Sequence, residues 1–184
     1  MISKYKEALL QQVVNLDMEF FAAMKTEEPV PENTLPALRR MRWMTYSVLS
    51  EKTLSLLLRD LEQAKKAGRN TMIEKYALLE DQIPMLQNNP IIEAIAAQEE
   101  DWMEQVAEKY PHTLQGHVGN KTLFKRYMMC ELQSWNPDTI SSYWEDIQNA
   151  LKAGYNLAEI RYDNLYCSLG KGTLKEFDAQ VAGK

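Results

Sequence analysis

Residues 64–76 read AKKAGRNTMIEKY, and 86 positions later residues 150–162 read ALKAGYNLAEIRY. Each stretch ends one helix and begins another. Gly68 and Gly154 suit the left-handed residue just beyond a helix. Asn70 and Asn156 suit the N-cap of the next helix, and Glu159 stands at capping-box spacing from Asn156. Tyr76 and Tyr162 then return the chain to an apolar stripe. Over residues 50–76 and 136–162, nine of 27 positions are identical. They include Thr53/Thr139 and Asp60/Asp146, pairs that helix punctuation alone does not require.

Working outward, the pattern extends over most of the chain. Residues 3–24 carry Tyr5, Leu9, Val13, Leu16 and Phe20 at helical spacing, an apolar stripe facing a core. Residues 91–109 place Ile91, Ile95, Trp102 and Val106 in the same way, at an offset of 82. EEPVPENTLP (residues 27–36) breaks the chain in the first half and EKYPHTLQGHVGN (residues 108–120) in the second. Beyond these breaks the offset becomes 86. A second helix is expected from Pro36 to about Leu49, then one capped by Ser50 and matched by one with Asn136 as cap and Pro137 at its first position. A fourth helix carries Met72, Tyr76, Leu79 and Ile83, and its counterpart carries Ala158, Tyr162, Leu165 and Leu169. Strict alternation, the strand signature, is absent. The expected fold is all-α: a bundle of about eight helices, one domain over residues 1–184. It is built from duplicated halves at about 5–84 and 88–170, with a C-terminal helix at 173–182.

Composition agrees. Apolar residues make up 45% and charged residues 26% of 184, as in a globular chain. The net charge of −5 argues against nucleic acid and against an anionic membrane surface. No stretch approaches a membrane span. Ten methionines and two unpatterned cysteines fit a reducing cytoplasm.

The chain resembles the bacterial family catalogued as domain of unknown function 4125. The resemblance rests on MEFF and EDWM in the first helix of each half, on TLSLLLRDLEQAKKAGRNTMIEKY, on AEKYP and on LKAGYNLAEIRYDNLY. It supports the fold and implies no activity and no catalytic residue.

Three functional readings follow. In the leading one the protein is a non-enzymatic binding or accessory module. A small anionic ligand lies between the halves, met by Arg40 and Arg126 from the equivalent segments RRMRW and KRYMM and walled by Tyr76 and Tyr162. Alternatively, those arginines close ion pairs to Glu19 and Asp101. In the second reading the chain is an enzyme or enzyme subunit, with Glu19 and Asp101 as acid and base near Asp17, Glu99 and Glu100. In the third it is a structural or oligomerising protein whose exposed Trp43, Trp135 and Trp144 meet a protein partner or a second copy. No metal or cofactor is expected: the Glu-x-x-His steps of di-metal bundles are missing, and His112 and His117 stand in a loop without cysteine. Cys130 and Cys167 read as small buried hydrophobes. Phosphate-loop, nucleophile-elbow and zinc-protease signatures are absent.

Overall fold

The computed structural model describes residues 2–24, 34–114 and 121–183, and every regular element among them is a helix. In chain order these are α1 (Lys4–Ala22), α2 (Thr34–Tyr46), α3 (Glu51–Lys66), α4 (Thr71–Leu79), α5 (Pro90–Lys109), α6 (Pro111–Leu114), α7 (Lys121–Leu132), α8 (Pro137–Ala153), α9 (Leu157–Ser168) and α10 (Leu174–Ala182). Beyond two sets of four and the expected C-terminal helix, which is α10, Pro111–Leu114 winds into a further helical turn and brings the total to ten among the described residues. The α2 helix begins at Thr34, which leaves Pro36 in the first turn where a missing N–H is harmless. The α4 helix stops short of Ile83: Glu80 caps it and Asp81, at φ +55°, turns the chain away.

Two helices organise the rest. The α1 helix packs on α2, α3 and α4, while α5 packs on α7, α8 and α9. Their apolar stripes supply Leu10, Val13, Val14, Ile92, Ile95 and Trp102, all buried. The α2 helix also packs on α9, and α7 on α4. Each of these helices therefore lies against the set belonging to the other centre. No helix among the described residues is long and apolar enough to cross a membrane.

Between the two sets, α3 and α8 run antiparallel and cap each other. The Ser50 N–H (2.9 Å) and the Thr53 hydroxyl (2.6 Å) at the start of α3 donate to Asp146 Oδ2 of α8. The Asn136 N–H (2.9 Å) and the Thr139 hydroxyl (2.5 Å) at the start of α8 donate to Asp60 Oδ2 of α3. Each carboxylate thus meets orphan donors and the positive end of a helix dipole. The Asn136 side chain makes no cap bond of its own and donates instead to Asp60 Oδ1 at 2.7 Å.

The caps expected at Asn70 and Asn156 form. Asn70 accepts from the N–H of Met72 and Ile73, and Asn156 accepts from the N–H of Glu159. Their side-chain amides also donate to Phe20 O of α1 (2.8 Å) and Trp102 O of α5 (3.1 Å), fixing α4 and α9 to the two central helices. The capping box at Asn156 stays half-made, because Lys109 and Tyr110 take the Glu159 carboxylate. Gly68 (φ +70°) and Gly154 (φ +73°) are left-handed, and a Cβ there meets nothing within 4 Å. Substitution by alanine therefore costs only backbone strain. Gly68→Ala and Gly154→Ala should each destabilise by about 1–2 kcal/mol. Urea unfolding checks this, and unchanged midpoints for both variants would refute the assignment.

Candidate functional site

The residues expected to form a ligand site do not converge. Arg40 is exposed. Arg126 donates to Leu79 O (2.7 Å) and pairs with Asp81 (2.7 Å) on the far side of α7. Glu19 is exposed and paired with Lys65, and exposed Asp101 accepts from Gln105 at 2.8 Å. Neither Arg40–Glu19 nor Arg126–Asp101 forms, and the two carboxylates face no common cleft. The cause is helical phase. In α1 and α5 the buried stripe takes Asp17 with Phe20 and Glu99 with Trp102, so the residue just before each aromatic turns outward. Tyr76 is half-buried, its hydroxyl 3.5 Å from that of Tyr127, and Tyr162 alone of the six lines the cavity described below.

The other expected surfaces change too. Trp135 is buried, and Trp43 and Trp144 pack half-buried against the core. They offer no exposed aromatic face. Cys130 is buried as expected, but Cys167 is exposed at the end of α9. His112 lies exposed in α6, and His117 falls outside the described residues.

The structure instead gathers charges that stand within apolar stripes. Arg42 Nε donates to Asp17 Oδ2 (2.8 Å), and its terminal nitrogens reach both Glu131 oxygens and Tyr46. The Tyr46 hydroxyl donates to Asp17 Oδ2 at 2.7 Å. Lys75 pairs with Glu131 Oε2, which Arg42 also reaches, its ammonium 3.7 Å from the Tyr127 ring centre. Five side chains from α1, α2, α4 and α7 thereby form one buried knot.

Burial opposes ionisation of Glu131, but Arg42 and Lys75 outweigh it and hold the carboxyl well below the usual range. Its stabilisation is therefore full above the unfolded value, near 4.5, and is lost as pH falls toward the folded one. Asp17 moves the opposite way: burial raises it further than Arg42 lowers it. Burial likewise lowers Lys75, against the pull of Glu131. A second knot joins α5, α8 and α9. Arg161 donates bidentately to Glu99 (2.9 and 3.0 Å), and the Tyr143 hydroxyl donates to the same carboxylate at 2.5 Å. Burial and Glu99 push the Tyr143 phenol up, so it stays a donor.

Between α2, α5, α7 and α9 lies a cavity of about 450 Å³, within the range of small-molecule sites. Met41, Met44, Met103, Met128, Phe124 and Tyr162 supply much of its wall. Burial pushes the Tyr162 phenol up to about 12. Arg42, Glu131 and Arg161 bring both knots to the wall, and Glu100, Glu104 and Glu108 form a ridge at steps of four along α5. A second groove of about 830 Å³, holding Arg126, Lys125 and Cys130, shares Glu100 with it. Burial raises the Cys130 thiol and leaves it protonated.

A family of proteins of unknown function, DUF4125, matches residues 7–179. The chain belongs to that family. No curated protein and no solved structure matches it. What a DUF4125 chain does must therefore be argued from its own cavities and charges.

The knots are legible as an anomaly: Asp17, Arg42, Lys75, Glu99, Glu131 and Arg161 are charges at core positions of amphipathic helices. Removing one member strands its partner in a low-dielectric interior. Glu99→Ala should cost about 3–5 kcal/mol, whereas Glu99→Met combined with Arg161→Met should restore most of that loss. Chemical denaturation of the three proteins measures it, and a single variant no less stable than the double would contradict the pairing.

Proposed function

We propose that this DUF4125 chain is a non-enzymatic small-molecule-binding module, with its site in the cavity between α2, α5, α7 and α9. The carrying observation is that cavity itself, about 450 Å³ walled by methionines and aromatics between the two helix sets. Methionine adapts to irregular apolar shapes, which suits a ligand surface.

A duplication of the two halves explains why the space exists. The paired packing of α1 and α5, the crossed contacts α2–α9 and α4–α7, and the reciprocal caps of α3 and α8 support such an origin. At the offset of 86, Arg42 corresponds to Met128 and Glu131 to Thr45. Arg42 and Glu131 fill the space beside α1 and α4 as a charge pair. Their counterparts Met128 and Thr45 both line the cavity beside α5 and α9. One quadrant is closed by ions, and the other is left open behind a thioether and a short hydroxyl.

The acid–base reading loses support because Glu19 and Asp101 are exposed, and the interface reading because no tryptophan named for it is exposed. The anionic ligand expected from Arg40 and Arg126 is also disfavoured, since neither lines this cavity. A neutral apolar fluorophore, N-phenyl-1-naphthylamine, tests the binding reading. One equivalent should bind with enhanced emission, and Met128→Trp should abolish binding while Met85→Trp, in the wider groove, leaves it intact. Binding that survives Met128→Trp would refute the site.

A further inference from the structure

We infer that Met41, Met103 and Met128 make this cavity sensitive to oxidation: peroxide turns their thioethers into sulfoxides, and the cavity loses affinity for an apolar occupant. The inference rests on the binding reading above and adds a means of regulating that site.

Placement carries the first step. Four of the ten methionines line this one cavity, Met41 and Met44 from α2, Met103 from α5 and Met128 from α7. Their exposure is graded. Met41 is 47% exposed, Met103 and Met128 are half-buried, and Met44 is 4% exposed. A small oxidant therefore meets Met41 first and reaches two further sulfurs, while Met44 is shielded. No cysteine lines the cavity, so these thioethers are the most readily oxidised groups in its wall.

The chemistry closes on these atoms. A thioether sulfur attacks one oxygen of hydrogen peroxide, the O–O bond breaks and an S–O bond forms. Sulfur gives up two electrons to the peroxide. The proton of the transferred hydroxyl passes to the departing oxygen, which leaves as water. A polar, chiral sulfoxide then stands where a flexible apolar group stood. An apolar ligand packed on that wall buries the sulfoxide oxygen without a hydrogen bond, which is costly. Glu100, Glu104, Glu108 and Glu131 in the wall present carboxylates, and these acceptors donate nothing to the new oxygen.

The test uses the full chain, hydrogen peroxide and N-phenyl-1-naphthylamine. Peptide mass mapping should find one added oxygen at each of Met41, Met103 and Met128 before any at Met44. Affinity for the fluorophore should fall about tenfold, with the helical circular dichroism unchanged. Dithiothreitol alone, which reverses mild oxidation at the exposed Cys167, should restore nothing. Dithiothreitol with the two methionine sulfoxide reductases, one for each sulfur epimer, should restore the affinity. Met41→Leu/Met103→Leu/Met128→Leu keeps the wall apolar at similar volume, and its own affinity should not respond to peroxide. Met85→Leu, which removes a 67% exposed methionine of the wider groove, should keep the full response. No oxygen at the three residues, unaltered affinity once they carry it, or an equal fall in the triple variant overturns the inference while the binding site stands. Recovery with dithiothreitol alone, or loss of helix on oxidation, does the same. Failure of the untreated protein to bind the fluorophore overturns the binding reading itself, and this inference with it.

Discussion

The carboxylate of Glu131 is the contact on which the arrangement of this molecule depends. It is carried by α7, yet its partners are Arg42 of α2 and Lys75 of α4, both buried. Arg42 in turn holds Asp17 of α1. Four helices are thus tied at one point by groups that cannot be buried singly. Hydrophobic burial would hold these helices together in several rotations or registers. The knot admits one, because each guanidinium and carboxylate must meet its partner in a fixed geometry.

The same contact places the cavity. Crossing α7 to the α1 set, and α2 to the α5 set, leaves a quadrant bounded by α2, α5, α7 and α9. Arg42 and Glu131 form part of that quadrant's wall while facing their partners in the other. A stable buried network therefore stands directly behind a space with apolar walls. Its charges are spent within the protein.

Much of the fold was legible in the sequence. Gly68, Asn70, Gly154 and Asn156 act through local backbone geometry, which is why helix ends and starts fall where their residue types indicate. The Asp60/Asp146 identity was visible, but its purpose was not: each carboxylate caps a helix 76 or 96 residues away in sequence, and no local pattern encodes such a contact. The expected binding residues do not converge for a related reason. Arg40 and Arg126 match as basic residues in sequence, whereas burial depends on helical phase. Arg42, two residues on, falls inward, while Arg126 pairs with Asp81 outside. The usable signal was the charged residue interrupting an apolar stripe, as Asp17 follows Val13 by four and Val14 by three. The cavity stands out only when Met128 and Thr45, which line it, are set beside Arg42 and Glu131 at the offset of 86.

Native-state hydrogen exchange on the wild type and Glu131→Gln tests most directly whether this carboxylate holds the crossed arrangement. If it does, amides of α7 from Met128 to Leu132 and of α4 from Lys75 to Leu79 should exchange about 100-fold faster in the variant, the effect of losing about 3 kcal/mol from a local opening. The α3–α8 pair should keep its protection. Unchanged protection in α7 and α4 would contradict the account.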